Sequence, residues 1–432
     1  MRIHRVYITW GLVIALVPLL ACGRSDSGGS WAGTIEPLPN GAVRVTNPAE
    51  ALWGSQDSWQ LTEELVLGET DGEGADVFAS ISGLEVDQAG NIYVLDRQAN
   101  DLRIFDGEGT HIRSVGRAGQ GPGEYSAANG LTWISGDTLL VVDQRGNRYS
   151  ILSRNGEYVR SVRRALSFFG WVFNGGVDSD MVYEVFSVGR EDDRRPVLLG
   201  THLRGDDVES GILSASTQRE AEAAPRFVAD TLLLPRPDGP LYESFSIQTE
   251  RGGMVMGVPF SGAPKYYLDG QGGVWWGHGG TPRLYHTMFQ GDTLREVILS
   301  TEPVAVTAEE IADWESAPAI ERFKTMGGKL DLSRIPKAKP YFDGIVLDPR
   351  GYIWLTVPGA PRQAIFTVLD PEGRYLGQLQ VSGVARETFL RPVLRNGRLY
   401  FVGRDELDVQ RIYVYRVSRA PKQHKPQAHD NR

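Results

Sequence analysis

A four-part pattern of short apolar runs separated by tight turns recurs along this 432-residue chain. Residues 83–116 (GLEVDQAGNIYVLDRQANDLRIFDGEGTHIRSVG) match residues 130–163 (GLTWISGDTLLVVDQRGNRYSILSRNGEYVRSVR) at an offset of 47 residues. Further copies cover 265–299 and 344–380, and a weaker copy covers 390–417. Because one such unit cannot bury an apolar face by itself, the repeat predicts units that stack against their neighbours.

Each copy predicts four short β-strands joined by hairpins. The first turn carries pairs such as Gly90-Asn91 and the last turn pairs such as Asn155-Gly156, residue types that tolerate the positive φ of a tight hairpin. Runs such as 92–95 (IYVL) and 352–355 (YIWL) are β-branched and aromatic without a charge, which is typical of strands buried between stacked sheets. A four-stranded unit with a period of about 40–50 residues predicts a β-propeller.

The copies predict an all-β, six-bladed β-propeller of four-stranded antiparallel blades with a short helical insertion. The predicted blades cover 81–116, 130–163, 169–216 (with strands at 181–188 and 197–203), 265–299 and 341–381, plus a closing blade. In the closing blade, three strands of residues 386–417 pair with an N-terminal strand at 59–68, so that no sheet edge stays open. A seven-bladed ring is the alternative, because residues 226–260 could contain a further blade.

The segment 301–340 interrupts the repeat between two predicted blades. Thr307 and Glu310 form a capping-box pattern that predicts a short helix ending near Glu315, before Pro318. Residues 324–340 of the segment hold five cations against Asp331 alone, namely Lys324, Lys329, Arg334, Lys337 and Lys339. A locally basic loop in a chain of net charge -9 predicts contact with an anionic ligand such as a carboxylate, sulfate or polyanionic glycan, and a solvated loop is the alternative.

The N-terminus predicts export and a lipid anchor. Residues 1–21 combine Arg2 and Arg5 with an apolar stretch too short to span a membrane, the pattern of a secretory signal peptide. The stretch ends in LLACG, which resembles the bacterial lipobox, and Cys22 is the single cysteine of the chain. The resemblance implies lipid modification of Cys22 and, with Gly23 as the next residue, passage to the outer membrane. Residues 22–32 are then a flexible tether, 33–418 the propeller and 419–432 a disordered tail.

The loop after the first copy carries a narrower resemblance. Residues 116–125 (GRAGQGPGEY), with GNIYVLD and FDGEG upstream, resemble NHL-type repeats and, more narrowly, the bacterial six-bladed β-propeller lipoproteins whose first repeat ends in GR-x-G-x-GPGE-[FY]. The resemblance implies a ligand site at the mouth of the central channel, where the inter-blade connections and the turns between second and third strands emerge. The predicted ligand-binding residues at this mouth face are Arg97, Arg117, Glu124, Arg145, His278, Arg362 and Arg404.

Metal chemistry depends on which histidines and carboxylates converge. Zinc catalysis of the amidating-lyase kind, found on related NHL propellers, needs several converging histidines, whereas only His278 falls on a predicted mouth loop. A lactonase-type calcium site stays open because carboxylates are plentiful, although no motif marks one. Asp96 and Asp143 end matching strands and predict turn capping rather than a ring of cation ligands. We therefore predict no cofactor, with calcium as the open alternative.

Together these features predict a lipid-anchored cell-envelope module that binds a small ligand, a glycan or a protein at the mouth face without catalysis. The acidic net charge argues against nucleic acid, whose phosphates need a basic face. No nucleophile elbow, P-loop or dinucleotide fingerprint occurs in a suitable strand–turn–helix context. The alternative function is that of a metal-dependent hydrolase or lyase of the lactonase-like or NHL propeller class.

Overall fold

A computed structural model describes the chain at residues 31–54, 58–135, 137–163, 171–173, 181–188, 195–202, 231–233, 243–249, 252–269, 271–288 and 293–419. The predicted signal peptide, Cys22, most of the predicted tether and residues 420–432 lie outside these ranges, as do residue 136 and residues 289–292.

The described residues form short strands and two short helices. The first half contains β1 Thr34–Pro37, β2 Val43–Thr46, β3 Trp59–Leu67, β4 Ile81–Val86, β5 Ile92–Asp96, β6 Asp101–Phe105, β7 His111–Val115, β8 Ala128–Ser135, β9 Thr138–Asp143, β10 Arg148–Ser153, β11 Tyr158–Arg163, β12 Trp171–Phe173, β13 Met181–Val188, β14 Arg195–His202 and β15 Thr231–Leu233. The second half contains β16 Ser244–Thr249, β17 Gly252–Gly257, β18 Pro264–Leu268, β19 Gly273–His278, β20 Arg283–Met288, β21 Thr293–Ile298, α1 Ala308–Glu315, α2 Pro318–Thr325, β22 Gly344–Leu347, β23 Ile353–Pro358, β24 Gln363–Leu369, β25 Tyr375–Ser382, β26 Ala385–Arg386, β27 Val393–Arg395, β28 Arg398–Arg404 and β29 Gln410–Arg419.

Six sheets of four or more strands form the blades, which we number one to six along the chain. Blades one, two, three and five are the antiparallel sheets β4–β7, β8–β11, β12–β15 and β22–β25. Blade four contains β18–β21 and, at its outer edge, β2 and β1. Blade six contains β26, β28, β29 and β3, with β27 paired to β28.

The blades are arranged as a ring around a central axis. Their innermost strands lie side by side in the order β18, β22, β27, β4, β8 and β12. Buried apolar side chains fill the spaces between neighbouring blades, for example Trp354, Phe366 and Phe401 between blades five and six. The predicted all-β propeller is therefore confirmed.

Blade six joins an N-terminal strand to the last strand of the described chain. β3 pairs with β29 from Trp59 opposite Arg419 to Leu67 opposite Ile412. Trp59 is buried, and its ring centroid lies 5.9 Å from that of Trp354 in blade five. The predicted closure by an N-terminal strand is confirmed, and it leaves no open sheet edge at the seam of the ring.

Aspartates hold the hairpins in the predicted turns. In blade one, Gly90 has φ 93°, and Asp87 accepts a 2.9 Å hydrogen bond from the backbone N–H of Asn91. Asp348 repeats this arrangement in blade five, accepting from the backbone N–H of Tyr352 at 3.0 Å. Such side-chain turns fix the hairpin locally, so the repeat pattern encodes the blade directly.

Blade three differs from its predicted limits. Its strand Met181–Val188 is confirmed, but the outer strand β15 begins at Thr231, beyond the predicted end at Ser216. Residues 203–230, which precede this strand, are not among the described ranges. The long connection hid the fourth strand, because a strand of three residues carries no turn pattern of its own.

Residues 243–258 and the 301–340 insertion form a satellite module beside the ring. β16 and β17 make a separate two-stranded sheet within 226–260, the region in which the sequence allows a seventh blade. Phe245, Val258, Phe323 and Ile335 form the buried core of the module.

The capping box predicted in the insertion is confirmed. The Thr307 side chain accepts from the N–H of Glu310, and the Glu310 carboxylate accepts from the N–H of Thr307. A second helix, α2, was not predicted: it begins at Pro318, because proline is well suited to the first helical position.

An N-terminal strap, residues 31–54, runs along the outside of blades four and five and was not predicted. β2 pairs in parallel with β21, and β1 pairs with β2. The backbone N–H of Trp53 then donates to the carbonyl of Leu376 at 2.9 Å. A Cβ on Gly377 would lie 2.3 Å from the Trp53 ring, so only glycine lets this ring lie against blade five.

Candidate functional site

The predicted mouth-face residues lie on loops at the end of the ring where β4 begins and β5 ends. Arg97 and Arg145 are exposed at equivalent positions in the β5–β6 and β9–β10 turns. Arg117 and Glu124 form a 2.7 Å ion pair in the loop between blades one and two. These residues are accessible, but the ion pair between Arg117 and Glu124 is a contact within one loop.

The 117–124 loop is held together by its own hydrogen bonds. Glu124 accepts from the backbone N–H of Gly121 at 2.8 Å and from Arg117, and these two donors lower the pKa of its carboxyl. Arg148 donates to the carbonyls of Gln120 and Glu124 at 2.7 and 2.6 Å. The loop therefore uses its charged groups to maintain its own shape.

Two other predicted residues meet at the β28–β29 turn. Arg362 donates to the carbonyl of Asp405, and Arg404 forms a 2.6 Å ion pair with Glu387. Arg362 also has φ 59°, an uncommon conformation for a long side chain. His278 lies apart from them, buried, with its ring Nδ1 accepting from the N–H of Gly280 at 3.1 Å.

The buried aspartates at the ends of β5 and β9 cap turns, as predicted. Asp96 accepts from the backbone N–H groups of Ala79 and Gln98 at 2.8 and 2.9 Å. Asp143 accepts from the N–H groups of Ala127 and Gly146 at 3.0 and 3.1 Å. Each carboxylate thus ties an inter-blade connection to the following turn, and this saturates oxygens that a cation would need.

The predicted anionic-ligand loop divides into paired and unpaired cations. Lys324 bonds Glu321 at 3.2 Å, Arg334 bonds Glu243 at 2.6 Å, and Lys339 bonds Glu310 at 2.5 Å. Lys339 is buried and also donates to the carbonyl of Gly359 in blade five. Lys329 and Lys337 are exposed. Three of the five cations therefore fasten the satellite module, and the two exposed ones remain available to a ligand.

A second group of charged residues occupies the innermost strands and was not predicted. We call it the axial cluster: Glu85, Lys265, Tyr267, Asp343, Arg386, Arg391 and Arg395. Its members come from β4, from β18, from the residue before β22, and from the β26–β27 segment. Four different blades therefore contribute to it.

Arg391 shows that this cluster lies at the ring axis. It belongs to blade six, yet its guanidinium donates to the carbonyl of Tyr266 in blade four at 3.2 Å. Its guanidinium carbon lies 5.7 Å from the centroid of the Tyr267 ring. Blade five separates these two blades along the wall of the ring, so the contact is made across the inside. It is a cation–π contact in a desolvated setting.

Loss of hydration governs ionisation in the cluster. Burial raises the pKa of Glu85 to about 8, although Arg395 and Arg391 oppose the shift. Burial lowers the pKa of Arg391 to about 10, opposed by Tyr267 and Glu85. At neutral pH the Glu85 carboxyl is therefore mostly protonated, and the arginines facing it keep their charge.

The other carboxylate of the cluster is already occupied. Asp343 accepts from Arg386 at 2.5 and 2.6 Å and from the Thr356 hydroxyl at 2.5 Å. The side chain of Lys265 is half-buried, and it makes no hydrogen bond or ion pair within the described part of the chain. The Nε of Arg395 is likewise buried without an acceptor in the described part of the chain. Two cationic groups at the axis thus lack a matching acceptor among the described residues.

The axial cluster could not be recognised as a group in the sequence. Its members lie at positions 85, 265, 391 and 395, in different copies of the repeat, and only ring closure brings them together. The available signal was a charged side chain on a predicted innermost strand, as with Glu85 in an otherwise uncharged β4.

Among the described residues, no three histidine, cysteine, aspartate or glutamate side chains come together to hold a metal ion. Their helices are all too short and polar to cross a membrane.

One family model supports the propeller fold, and several solved structures are similar to parts of the chain. Residues 75–163 match the family model DUF5128, described as a 6-bladed beta-propeller. No curated protein matches the chain. A match to a DUF4221-family structure from Bacteroides vulgatus covers 85% of this chain and 100% of that structure, with 13% sequence identity and a TM-score of 0.44. A match to virginiamycin B lyase from Staphylococcus aureus covers 83% of this chain and 99% of the lyase, with 10% identity and a TM-score of 0.42. A match to a putative exported protein from Bacteroides fragilis covers 84% of this chain and 98% of that protein, with 9% identity and a TM-score of 0.39.

Proposed function

We propose that this propeller is a non-catalytic binding module whose ligand is a small anion held at the ring axis. The proposal rests on one observation, namely which charged groups of the axial cluster already have a partner. Lys265 and Arg395 bring positive charge to the axis, whereas Asp343 is satisfied by Arg386 and Glu85 is mostly neutral at pH 7.

The low-dielectric environment of the axial cluster favours an anionic ligand. A cation surrounded by protein loses its hydration, so a charged hydrogen-bonding partner stabilises it more than a neutral one does. Arginine offers a planar fork that fits a carboxylate or sulfate, and Lys265 adds a point charge. A carboxylate, a sulfate or an acidic sugar has the chemistry that this site accepts.

The mouth-face residues and the basic loop belong to the same proposal as an outer recognition surface. Arg97, Arg145, Lys329 and Lys337 are exposed, and their charge attracts an anion toward the ring. Arg117, Glu124, His278, Arg362 and Arg404 shape the surrounding loops through the contacts described above.

We further propose that the protein is one of the bacterial six-bladed propeller lipoproteins with an NHL-like loop, anchored by lipid at Cys22 in the outer membrane. The support is the lipobox-like LLACG, the 116–125 loop and the partial family match over 75–163. No cofactor is part of the proposal.

Titration calorimetry on the purified full chain in detergent tests the binding function. Citrate and sulfate are the probes, and glucose is the uncharged control. We expect saturable binding of an anion, weakened at least about tenfold, or about 1.4 kcal/mol, by Arg395→Gln. Arg113→Gln is the matched control, because Arg113 lies on β7, the outermost strand of blade one, and pairs with Glu157.

Absence of saturable anion binding, or equal losses in the two variants, would contradict the proposed function. Metal that copurifies in stoichiometric amount and supports turnover would favour the hydrolase or lyase alternative instead.

A further inference from the structure

We propose that Phe389 is a specificity-determining residue of the axial site and that the ligand is a carboxylate carrying a flat apolar ring. The inference rests on the proposed function in one respect, namely that an anion binds at the axial cluster. It adds the part of the ligand that the charged residues do not recognise. The ligand class is thereby narrowed from small anions in general to ring carboxylates.

Phe389 lies on a loop that interrupts the innermost strand of blade six. β26 and β27 both pair with β28, and positions 386 and 393 are the last paired position of β26 and the first of β27. The six residues between them, 387–392, lie opposite only residues 401–402 of β28. They leave the sheet as a loop, which we call the inner loop. Extra residues in a strand redirect side chains and are common beside functional sites.

The inner loop reaches into the central channel. Its Arg391 donates to the carbonyl of Tyr266 in blade four at 3.2 Å, across the inside of the ring. Tyr266 directly follows Lys265, so the loop contacts the strand that carries one cation of the axial cluster. Phe389 lies two residues before Arg391 on the same loop. Because two residues span at most about 7 Å of backbone, the ring of Phe389 lies near the axial cluster.

Hydrogen bonds fix the start of the inner loop. Just before it, Arg386 donates to both carboxylate oxygens of Asp343 in blade five at 2.5 and 2.6 Å. The first residue of the loop, Glu387, accepts from Arg404 at 2.6 Å and from the side-chain amide of Gln410 at 2.8 Å. The loop is therefore fastened to blades four, five and six. A side chain on a fastened loop loses less conformational entropy when a ligand packs against it.

Phe389 is exposed although it is a large apolar residue. It is 72% exposed, the highest value among the large apolar residues of the described chain, and Leu407 in the β28–β29 turn follows at 71%. The two partners of Glu387 bracket that turn, because β28 ends at Arg404 and β29 begins at Gln410. Two exposed apolar side chains thus lie on loops that Glu387 joins. A ligand that removes them from water is stabilised by the hydrophobic effect.

The charged and apolar residues together define the ligand class. The cations of the axial cluster select an anionic group, and the planar fork of arginine fits a carboxylate. Phenylalanine has no hydrogen-bonding group, and its ring packs well against another ring in an offset-stacked or edge-to-face arrangement. A carboxylate attached to a flat apolar ring meets both requirements. An acidic sugar meets the first, but its hydroxyl groups would contact Phe389 without a hydrogen-bonding partner there.

Titration calorimetry on the full chain in detergent tests the inference with matched probes. Cinnamate carries the carboxylate and the ring, acetate carries the carboxylate alone, and cinnamyl alcohol carries the ring without the charge. Glucuronate represents the acidic sugars. We expect cinnamate to bind at least about fivefold more tightly than acetate, because it adds the ring contact with Phe389.

Variants at Phe389 locate the contact. Phe389→Ala should reduce the affinity for cinnamate about fivefold and leave the affinities for acetate and citrate unchanged. Phe389→Tyr keeps the ring and should keep the affinity for cinnamate. Ile112→Ala is the matched control, because Ile112 is an exposed apolar residue on β7, the outermost strand of blade one. Circular dichroism checks that each variant is folded.

Three results would overturn the inference. The first is binding of cinnamate no tighter than that of acetate. The second is an equal loss of affinity for cinnamate in Phe389→Ala and Ile112→Ala. The third is tighter binding of glucuronate than of cinnamate, which would assign the site to acidic sugars.

The citrate titration separates this inference from the proposed function. If citrate binds and Arg395→Gln weakens it, but Phe389→Ala leaves the affinity for cinnamate unchanged, the role of Phe389 is wrong and the anion-binding function stands. If citrate does not bind, while cinnamate and cinnamyl alcohol bind equally well and Phe389→Ala weakens both, Phe389 does contact a ring. In that case the anion-binding function and the carboxylate of the ligand class are both wrong.

Discussion

The side-chain oxygen of Asn47 accepts a 2.6 Å hydrogen bond from the backbone N–H of Tyr375, which lies 328 residues later in the chain. Its amide nitrogen donates to the carbonyls of Ile298 and Gly373 at 3.1 and 3.0 Å. One buried side chain thus joins the strap to blade four and to blade five.

Replacing Asn47 should loosen this junction. Asn47→Ala leaves buried backbone groups of Tyr375 and Gly373 without partners, so we expect a loss of about 3 kcal/mol in the free energy of unfolding. Urea denaturation followed by tryptophan fluorescence measures the change. Asn40→Ala is the control, because Asn40 is exposed and its side chain accepts from the nearby N–H of Ala42; a similar loss there would contradict the prediction.

The ion pair of Lys339 and Glu310 should fasten the satellite module to the ring. Glu310→Gln keeps a capping side chain on α1 but leaves a buried ammonium without its counter-charge, which costs about 3 kcal/mol. Limited proteolysis should then cut first within 301–340. The exposed neighbour Glu309 gives the control Glu309→Gln, and equal protease sensitivity in the two variants would argue against this role.

Glu85 predicts a dependence of stability on pH. Burial raises the pKa of its carboxyl from 4.5 to about 8. Between these values the folded state holds a proton that the unfolded state releases, so this group makes stability fall as pH rises and has no further effect above about pH 8. Glu85→Gln cannot ionise and should lack this decline.

Thermal melting from about pH 5 to about pH 8 measures the difference. The advantage of Glu85→Gln over wild type should grow with pH across this range. Glu406→Gln, at an exposed glutamate of the β28–β29 turn, should follow wild type. Parallel curves for wild type and Glu85→Gln would show that folding does not raise the pKa of this carboxyl.

Lipid modification predicts that Cys22 determines where the protein is found. Cys22→Ser removes the only thiol in the chain, so the protein should move from the membrane fraction to the soluble periplasmic fraction. Fractionation with immunoblotting measures the shift, and the mass of the mature N-terminal peptide reports the acyl groups. Membrane retention of Cys22→Ser would refute the anchor.

The sequence predicts those parts of the fold that are encoded locally. Asp87, Gly90 and Asn91 specify a hairpin within five residues, and Thr307 and Glu310 specify a helix start within four. Closure by 59–68 was predictable because a ring with an unpaired three-stranded sheet needs a fourth strand.

Features that depend on distant contacts were not predictable. β2 becomes a strand through pairing with β21, about 250 residues away, and β1 through pairing with β2, and nothing in their own pattern marks these partners. The axial cluster likewise depends on how Glu85, Lys265 and Arg395 are brought to one axis. Mouth-face residues were inferred from loop position, which gives no information about which charges are already paired.

The pairing of β3 with β29 also constrains the order in which the molecule can form. Trp59 can pair with Arg419 only after the chain between them, which contains the five other blades, has been synthesised, so blade six is the last blade to be completed. Until then β3 has an unpaired edge, and the five other blades form an open arc. Any truncation that removes residues 410–419 should therefore affect both ends of the arc at once, exposing β3 and uncovering the apolar face of blade five.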